Sequence, residues 1–422
     1  MNFKNHANFT NIQKYLIFFL PISLVIGSAA ININIVLIDI LFLIFFFFKK
    51  IDLEKIVKKA LIFIFLFLLI NNLFSLHSDL SLRGSAGLIK HILLFLALVT
   101  FFERNSIHRN VFYKIILYTV LAVSIDTLVQ YIFGTSITGS IVQDSHGYRL
   151  SGPFGTEYVV GAYLSKLLYI GFIAICLNTQ KKIYIFLYLI WIVGIIFLTN
   201  ERSAFYISIL SLFGLLVLFR GSAGSKFIII CAVISLGFFF SMSESGFKKK
   251  YIDHTIHEFG FDEKLHKNVK HGDIEYSSFL DSRYGAHFLT SYEIFKDHYI
   301  IGSGIKTFRK VCENKKYKNI KSKYSFARCN THPHNFYLEI LSEFGGVFFI
   351  SFIIFIGTML IRLFQKYIKD KNPITVASIC LYFVLFWPIQ TTGSLFSTFN
   401  GVFYFIGLAI IFLSNNMKLL KK

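Results

Sequence analysis

Charged residues are scarce in this chain of 422 residues. Only 16% of the residues are Asp, Glu, Lys or Arg, whereas 55% are hydrophobic and the mean hydropathy is +0.61. A soluble protein of this length could not bury so much apolar surface, because a folded domain still exposes many of its residues. Apolar stretches of about 17 to 25 residues recur instead, and each can cross a hydrocarbon core about 30 Å thick. Composition therefore predicts an all-α integral membrane protein.

Neither an internal repeat nor a Pro- or Ser-rich linker divides the chain. About twelve apolar segments are predicted, near residues 15–30, 31–48, 59–75, 85–102, 111–133, 156–178, 182–199, 203–219, 226–242, 336–361, 374–392 and 396–414. Transmembrane helices 1–9 then occupy residues 1–242, a large external loop occupies 243–335, and helices 10–12 occupy 336–422. All belong to one membrane domain. Residues 1–30 also resemble a signal peptide, but we favour a retained helix.

Basic residues outnumber acidic ones, which gives a formal charge of +20. We expect no nucleic-acid partner, since no soluble basic module accompanies the helices. With a cytoplasmic N-terminus, the cytoplasmic side holds 21 of the 43 Lys and Arg residues against four acids. The positive-inside rule therefore predicts that both termini are cytoplasmic and that residues 243–335 lie outside. A short amphipathic helix around residues 286–295 is expected to rest against the membrane lipids.

Five cysteines are present, and three of them (Cys176, Cys231 and Cys380) lie inside apolar stretches. Cys312 and Cys329 lie in the large loop. In an oxidising compartment these two are candidates for a disulfide, which would contribute roughly 3 kcal/mol.

Two arginines occupy positions suited to binding an anion. Arg202 lies in a very short turn between two helices, where a guanidinium and helix-start amides suit a phosphate. An interfacial arginine that only fixes topology is the alternative. Arg283 precedes the amphipathic piece, and residues 302–308 (Gly-Ser-Gly-Ile-Lys-Thr-Phe) follow it. The glycines allow close backbone approach, although a lone Gly-x-Gly is also common in surface loops.

Polar residues also gather where the large loop meets the tenth helix. His334 lies near the helix start, and a neutral histidine there can act as a general base toward a hydroxyl. His332 precedes it, and Asn335, Glu339 and Glu343 follow at intervals of four residues, so these three share a helix face directed into the bundle. Two solvated histidines that cap a helix are the alternative. A metal pair is disfavoured, because no third ligand stands at a telling spacing.

A fourth motif, residues 149–157, lies at the entry to another helix and carries Arg149 and Glu157. Both are candidates for lining a substrate site, although structural packing explains them equally well.

Taken together, these motifs resemble the O-antigen ligase family, which shares a fold and motif set with polysaccharide polymerases. The resemblance spans residues 149–346 and rests on the order of the pieces: Arg202 in a short external turn, Arg283 before an amphipathic helix, Gly302 to Phe308, and His334-Asn335 opening a helix that continues to Gly345-Gly346.

The resemblance implies a GT-C-like membrane glycosyltransferase of the bacterial inner membrane. Transfer would be inverting and metal-independent, with no cofactor. The donor would be a glycan on undecaprenyl pyrophosphate, and the acceptor a lipid A–core sugar hydroxyl. Arg202 and Arg283 would hold the pyrophosphate, and His334 would activate the hydroxyl, with Arg149, His332, Asn335, Glu339 and Glu157 lining the site. The alternatives are a polymerase that joins lipid-linked repeat units and, less favoured, a polysaccharide transporter or flippase.

Overall fold

The computed structural model describes residues 3–48, 51–142, 149–179, 181–219, 251, 255–256, 278–415, 417 and 419–420. Within these ranges the chain is helical, and its only β-structure is two isolated bridges. The first eight helices are α1 (Phe3–Ile26), α2 (Ser28–Phe47), α3 (Lys55–Leu73), α4 (Ser78–Arg104), α5 (Ser106–Phe133), α6 (Val160–Asn178), α7 (Lys182–Leu198) and α8 (Arg202–Leu218). The large loop contributes α9 (Arg283–Asp297) and a single turn, Phe308–Val311, before α10 (Phe336–Asp370), α11 (Pro373–Phe386) and α12 (Thr398–Ser414).

Six of these helices, α2, α3, α4, α5, α6 and α10, are long and apolar enough to cross a membrane. Shorter apolar helices accompany them: α7, α8, α11, α12 and residues 10–26 of α1. Eleven of the twelve predicted apolar segments therefore coincide with helices, and the other, 226–242, lies outside the described residues. The chain is a multi-pass membrane protein, and a total of twelve spans stays a prediction.

Helix α6 lies at the centre of the bundle. It packs against α5, α7, α8 and α11. In its most apolar 18-residue stretch 78% of the residues are buried, against 17% in the peripheral α3. Hydrocarbon does not drive apolar helices together, so close packing and interhelical hydrogen bonds must hold them. Gly171 of α6 shows both effects. A Cβ atom there would collide with Tyr188 of α7, whose hydroxyl donates to the Leu168 carbonyl at 3.0 Å.

Among the helix boundaries that differ from the sequence prediction, two lie on the helices that flank the site. Helix α11 was expected over 374–392 but ends at Phe386, because Pro388 forces Trp387 into an extended conformation. Residues 388–397 consequently form a polar loop beside the start of α10. Helix α10 extends to Asp370, beyond the predicted end at 361, and is kinked at Gly345, where φ is 75°.

The predicted amphipathic helix of the large loop is present as α9. The Ser282 hydroxyl caps it by accepting from the Gly285 amide at 3.0 Å. Its buried face packs on α10, and the Ser291 hydroxyl donates to the Leu338 carbonyl at 2.8 Å. Its buried face therefore covers the start of α10, and contact of its other face with lipid stays a prediction.

Candidate functional site

The start of α10 is fixed by the side chain of Asn335. Its oxygen accepts from the backbone amides of Tyr337 and Leu338 at 3.0 and 3.2 Å, which satisfies the exposed donors of the first turn. Its amide nitrogen donates to the carbonyls of Pro388 and Gln390 at 2.9 and 3.3 Å. Every hydrogen-bonding position of this side chain is thus used within the protein. Asn335, expected to line the substrate site, joins α10 to the loop after α11.

His334 precedes this cap in the left-handed backbone region, with φ of 59°. Non-glycine residues rarely adopt this conformation, and such strain is concentrated at functional sites. The backbone is held by the Thr392 amide, which donates to the His334 carbonyl at 2.7 Å. The ring is held by Asn330, whose side-chain amide donates to Nε2 at 2.9 Å. A neutral ring that accepts at Nε2 carries its proton on Nδ1.

His332 has the opposite tautomer. Its Nε2 donates to the Thr392 carbonyl at 3.2 Å, and its Nδ1 accepts from the Thr331 hydroxyl at 2.9 Å. The centroids of the His332 and His334 rings lie 4.3 Å apart. Both rings are therefore oriented by hydrogen bonds to neutral groups.

A third histidine, His287 of α9, completes a histidine cluster (His287, His332 and His334). Its ring is fully buried and stacks on His334, with centroids 5.2 Å apart and an interplanar angle of 26°. Tyr284 meets the His334 ring edge-on at 5.4 Å. Arg283, the first residue of α9, lies close enough to lower the pKa of both His287 and His334. The structure therefore brings Arg283 and His334 together.

The histidine cluster strongly favours uncharged rings. Burial, with the neighbouring His332, His287 and Arg283, lowers the pKa of His334 to about 3. Burial and Arg283 lower the pKa of His287 to about 4. Burial also lowers the pKa of His332, where the Thr392 carbonyl acts in the opposite direction and Arg309 adds to the lowering. All three rings are neutral at physiological pH.

The turn that carries Arg202 reaches the histidines through a second loop. Arg202 Nη1 donates to the Thr255 hydroxyl at 3.4 Å. The adjacent Ser203 hydroxyl donates to the Thr391 carbonyl at 3.1 Å. The next residue, Thr392, forms hydrogen bonds with the His334 carbonyl and with the His332 ring. Thr391 and Thr392 thus link the Arg202 turn to the start of α10.

Glu201 positions the same turn against the start of α6. Its carboxylate accepts from the Gly161 and Ala162 amides at 2.7 and 3.3 Å. Burial raises the pKa of Glu201 to about 7, and Arg149 opposes that shift, so Arg149 lies near the Arg202 turn. Arg149 itself donates to the Tyr158 carbonyl at 3.0 Å, and its guanidinium carbon lies 5.1 Å from the centroid of the Tyr158 ring.

The other two acidic candidates have different surroundings. Glu339 is buried, and its carboxylate accepts from the Ser394 hydroxyl at 2.5 Å and from the Leu395 amide at 2.9 Å. It fastens α10 to the loop before α12. Glu157 is exposed beside the entry to α6. The predicted burial of the Glu339 face is observed, and its hydrogen bonds are made within the protein.

The Gly-x-Gly segment docks against the kink of α10. The Glu343 carboxylate accepts from the amides of Lys306 and Phe308 at 2.6 and 3.1 Å. A Cβ atom on Gly302 would collide with the Glu343 backbone, and one on Gly345 would collide with the Ile300 carbonyl. These glycines therefore permit two backbone segments of the protein to meet.

A disulfide joins Cys312 and Cys329, whose Cα atoms are 5.4 Å apart. The Arg328 side chain also donates from Nε to the Cys312 carbonyl at 3.0 Å. Beneath them lies a small core formed by Ile294, Phe308, Val311 and Tyr317. This packing supports the segment that leads directly into Asn330 and the two motif histidines.

Sequence reasoning missed four parts of this site. Asn330, His287 and Tyr284 lie in the large loop without a local pattern that marks them. The Thr391–Thr392 link was assigned to a transmembrane segment. A usable signal existed for the link alone, since the proline that ends α11 predicts that the following polar residues are not helical.

The comparison with protein families matches residues 187–353 to the family described as O-antigen ligase. This match supports the O-antigen ligase/polymerase family and confirms the resemblance drawn from the motifs. It spans less than half of the chain, including Arg202, Arg283 and His334, whereas Arg149 precedes it. The family suggests a glycosyltransferase-like enzyme that acts on lipid-linked glycans in the membrane. No curated protein sequence matches the chain.

Proposed function

We propose that this O-antigen ligase family member transfers a glycan from undecaprenyl pyrophosphate to a sugar hydroxyl of lipid A–core. The observation that carries the proposal is His334, a neutral and conformationally constrained imidazole beside Arg283. The Thr391–Thr392 link connects it to the Arg202 turn. A base and two guanidinium groups are what a displacement of pyrophosphate requires.

In the proposed reaction, the acceptor oxygen attacks the anomeric carbon of the donor from the side opposite the pyrophosphate. The new glycosidic bond forms as the bond between the anomeric carbon and the phosphate oxygen breaks, so the configuration inverts. The acceptor proton passes to His334 Nε2, and undecaprenyl pyrophosphate leaves. Arg202 and Arg283 stabilise the negative charge on the leaving group, so the proposed reaction uses guanidinium groups for this role and no metal ion. Arg149, near the Arg202 turn, adds a third guanidinium group to this part of the proposed site.

We place the protein in the bacterial inner membrane, with both termini cytoplasmic and the site periplasmic. The unequal distribution of Lys and Arg between the connections supports this orientation. The helix order agrees with it, since the Arg202 turn, α9 and the start of α10 share one end of the bundle.

Deletion of the gene tests the proposal, with lipopolysaccharide analysed on a gel beside undecaprenyl-linked glycan. A ligase predicts bare core together with long glycan accumulating on the carrier lipid. Core that carries a single repeat unit would identify the polymerase instead. An unchanged profile of both pools, in a host without a second copy, would contradict both activities and favour a transporter. Complementation with His334→Ala should fail at normal protein level.

A further inference from the structure

A cavity of about 160 Å³ opens at the end of the bundle opposite the histidine cluster. It lies between the start of α5, the end of α6, the end of α10, the start of α11 and the end of α12. His334 precedes the first residue of α10, whereas Lys366 of the cavity lies about 45 Å farther along that helix at 1.5 Å per residue. The cavity is therefore separate from the proposed glycan-transfer site.

Six of the ten residues that line this cavity carry polar or charged side chains, and the other four are aliphatic. Arg109 of α5 and Lys366 of α10 contribute two cationic side chains, and Tyr113, Asn372, Thr375 and Ser414 contribute polar groups. The volume is far greater than the roughly 15 Å³ that one water requires, so a tetrahedral oxyanion can enter. Two cations from different helices beside one cavity are arranged to bind an anion from two sides.

One acidic group, Asp370, lies beside the cavity, and the two cations outnumber it. Asp370 accepts from the Asn372 amide at 3.0 Å and from the Thr375 hydroxyl at 3.1 Å, so both of its oxygens hold the turn into α11. Asn372 also caps α11 by accepting from the Ile374 amide at 2.9 Å, so the positive end of that helix lies at the cavity.

We propose that this cavity binds the phosphate group of an anionic membrane lipid. Helix termini of a membrane bundle lie at the depth of the lipid headgroups, and basic pockets between helices there bind anionic headgroups. A bound headgroup would join five helices at once. This inference does not depend on the proposed glycan transfer.

The test uses the full-length protein purified in a neutral detergent, with thermal unfolding and native mass spectrometry as readouts. Phosphatidylglycerol should bind and raise the unfolding temperature, whereas phosphatidylcholine should not. Arg109→Gln should weaken phosphatidylglycerol binding about five-fold, the effect of one basic residue near a membrane surface. The matched control is Arg362→Gln with Lys369→Gln, which removes two exposed charges on α10 that do not line the cavity.

Equal phosphatidylglycerol binding by wild type and Arg109→Gln would overturn the proposal, as would an equal loss in the control. A separate arm adds inorganic phosphate without lipid. Stabilisation by inorganic phosphate alone, with no further effect of phosphatidylglycerol, would assign the cavity to a soluble phosphate compound. It would overturn the proposal that the ligand is a lipid. Lys366→Gln is a second variant. Its effect is measured by lipid binding and not by thermal unfolding, because Lys366 also donates to the Ser414 carbonyl and its loss changes a hydrogen bond within the protein.

Discussion

The side-chain amide of Asn330 donates to Nε2 of His334 at 2.9 Å. The hydrogen bond occupies the lone pair that a general base needs, and it fixes the proton of the neutral ring on Nδ1. Asn330 therefore keeps His334 in the basic tautomer until an acceptor hydroxyl replaces the amide.

The first prediction concerns this pair. Asn330→Asp substitutes an acceptor for the donor, which favours a proton on His334 Nε2 and raises the pKa of the ring. We expect transfer to fall about 10²-fold or more, within the range that general-base catalysis contributes, with the acid limb of the pH–rate profile moved to higher pH. Asn319→Asp, an exposed asparagine in the same loop, is the control. An unchanged pH profile in Asn330→Asp would remove the tautomer argument.

The second prediction concerns the two arginines proposed to hold the pyrophosphate. Arg202→Ala and Arg283→Ala should each lower kcat/KM for transfer by about 10²- to 10³-fold, the usual cost of losing one donor to developing charge. Lysine in their place should recover part of this loss, because it keeps the charge but not the planar fork. Arg83→Ala removes an exposed arginine of α4 and should be neutral. Wild-type rates in both alanine variants would contradict the assignment.

The third prediction concerns the kink of α10. Gly345→Ala should destabilise the protein by more than about 1 kcal/mol, because φ is 75° and the added Cβ atom meets the Ile300 carbonyl. Gly357→Ala changes a glycine of the same helix whose Cβ position is open, and should be neutral or stabilising by up to about 1 kcal/mol. Thermal unfolding in detergent compares the two. Equal stabilities would show that the docking contact contributes little.

The fourth prediction concerns the disulfide. Cys312→Ser should accelerate proteolysis within residues 278–335 more than within the helices, because the bridge closes a loop of 17 residues and is worth roughly 3 kcal/mol. Cys176→Ser, which removes an unpaired cysteine from α6, is the control. Identical cleavage of the loop in both variants and wild type would indicate that Cys312 and Cys329 are not joined in the native protein.

The fifth prediction concerns pH. The pKa of His287 is about 4 in the folded protein, against about 6.5 in an unfolded chain, so the unfolded state binds more protons between these values. The free energy of unfolding should therefore fall on acidification below pH 6.5, by up to about 1.4 kcal/mol per pH unit for this ring. Hydrogen exchange of the α9 amides at pH 7.5 and at pH 5 measures this change in the free energy of unfolding. His287→Leu should reduce the dependence, whereas His77→Leu should not.

The apolar helices were predictable because hydropathy alone determines which segments enter a membrane. Helix ends depend on local signals: Pro388 marks the end of α11 although the predicted segment extends past it, whereas no local signal marks the kink at Gly345. That kink depends on contact with Gly302, more than forty residues away in the sequence. A single sequence contains no direct record of such contacts.

The candidate site divides in the same way. The residue types of Arg202, Arg283 and His334 suggested their chemistry, and the structure connects them. The shared face of Glu339 and Glu343 was predicted from helical periodicity, but their partners are backbone amides and the Ser394 hydroxyl of distant loops. Periodicity identifies the face of a helix that is buried, whereas the groups that meet it depend on the tertiary fold.

The neutral state of the histidine cluster has a consequence for substrate binding. Among the described residues, only imidazoles, guanidinium groups and backbone groups influence the pKa values of His287, His332 and His334. A bound pyrophosphate would place a full negative charge beside them, and it would raise their affinity for protons. Donor binding should consequently make His334 a stronger base while leaving the ring neutral, so that it can take the acceptor proton during transfer. The bound lipid would thus prepare the base that its own displacement as undecaprenyl pyrophosphate requires.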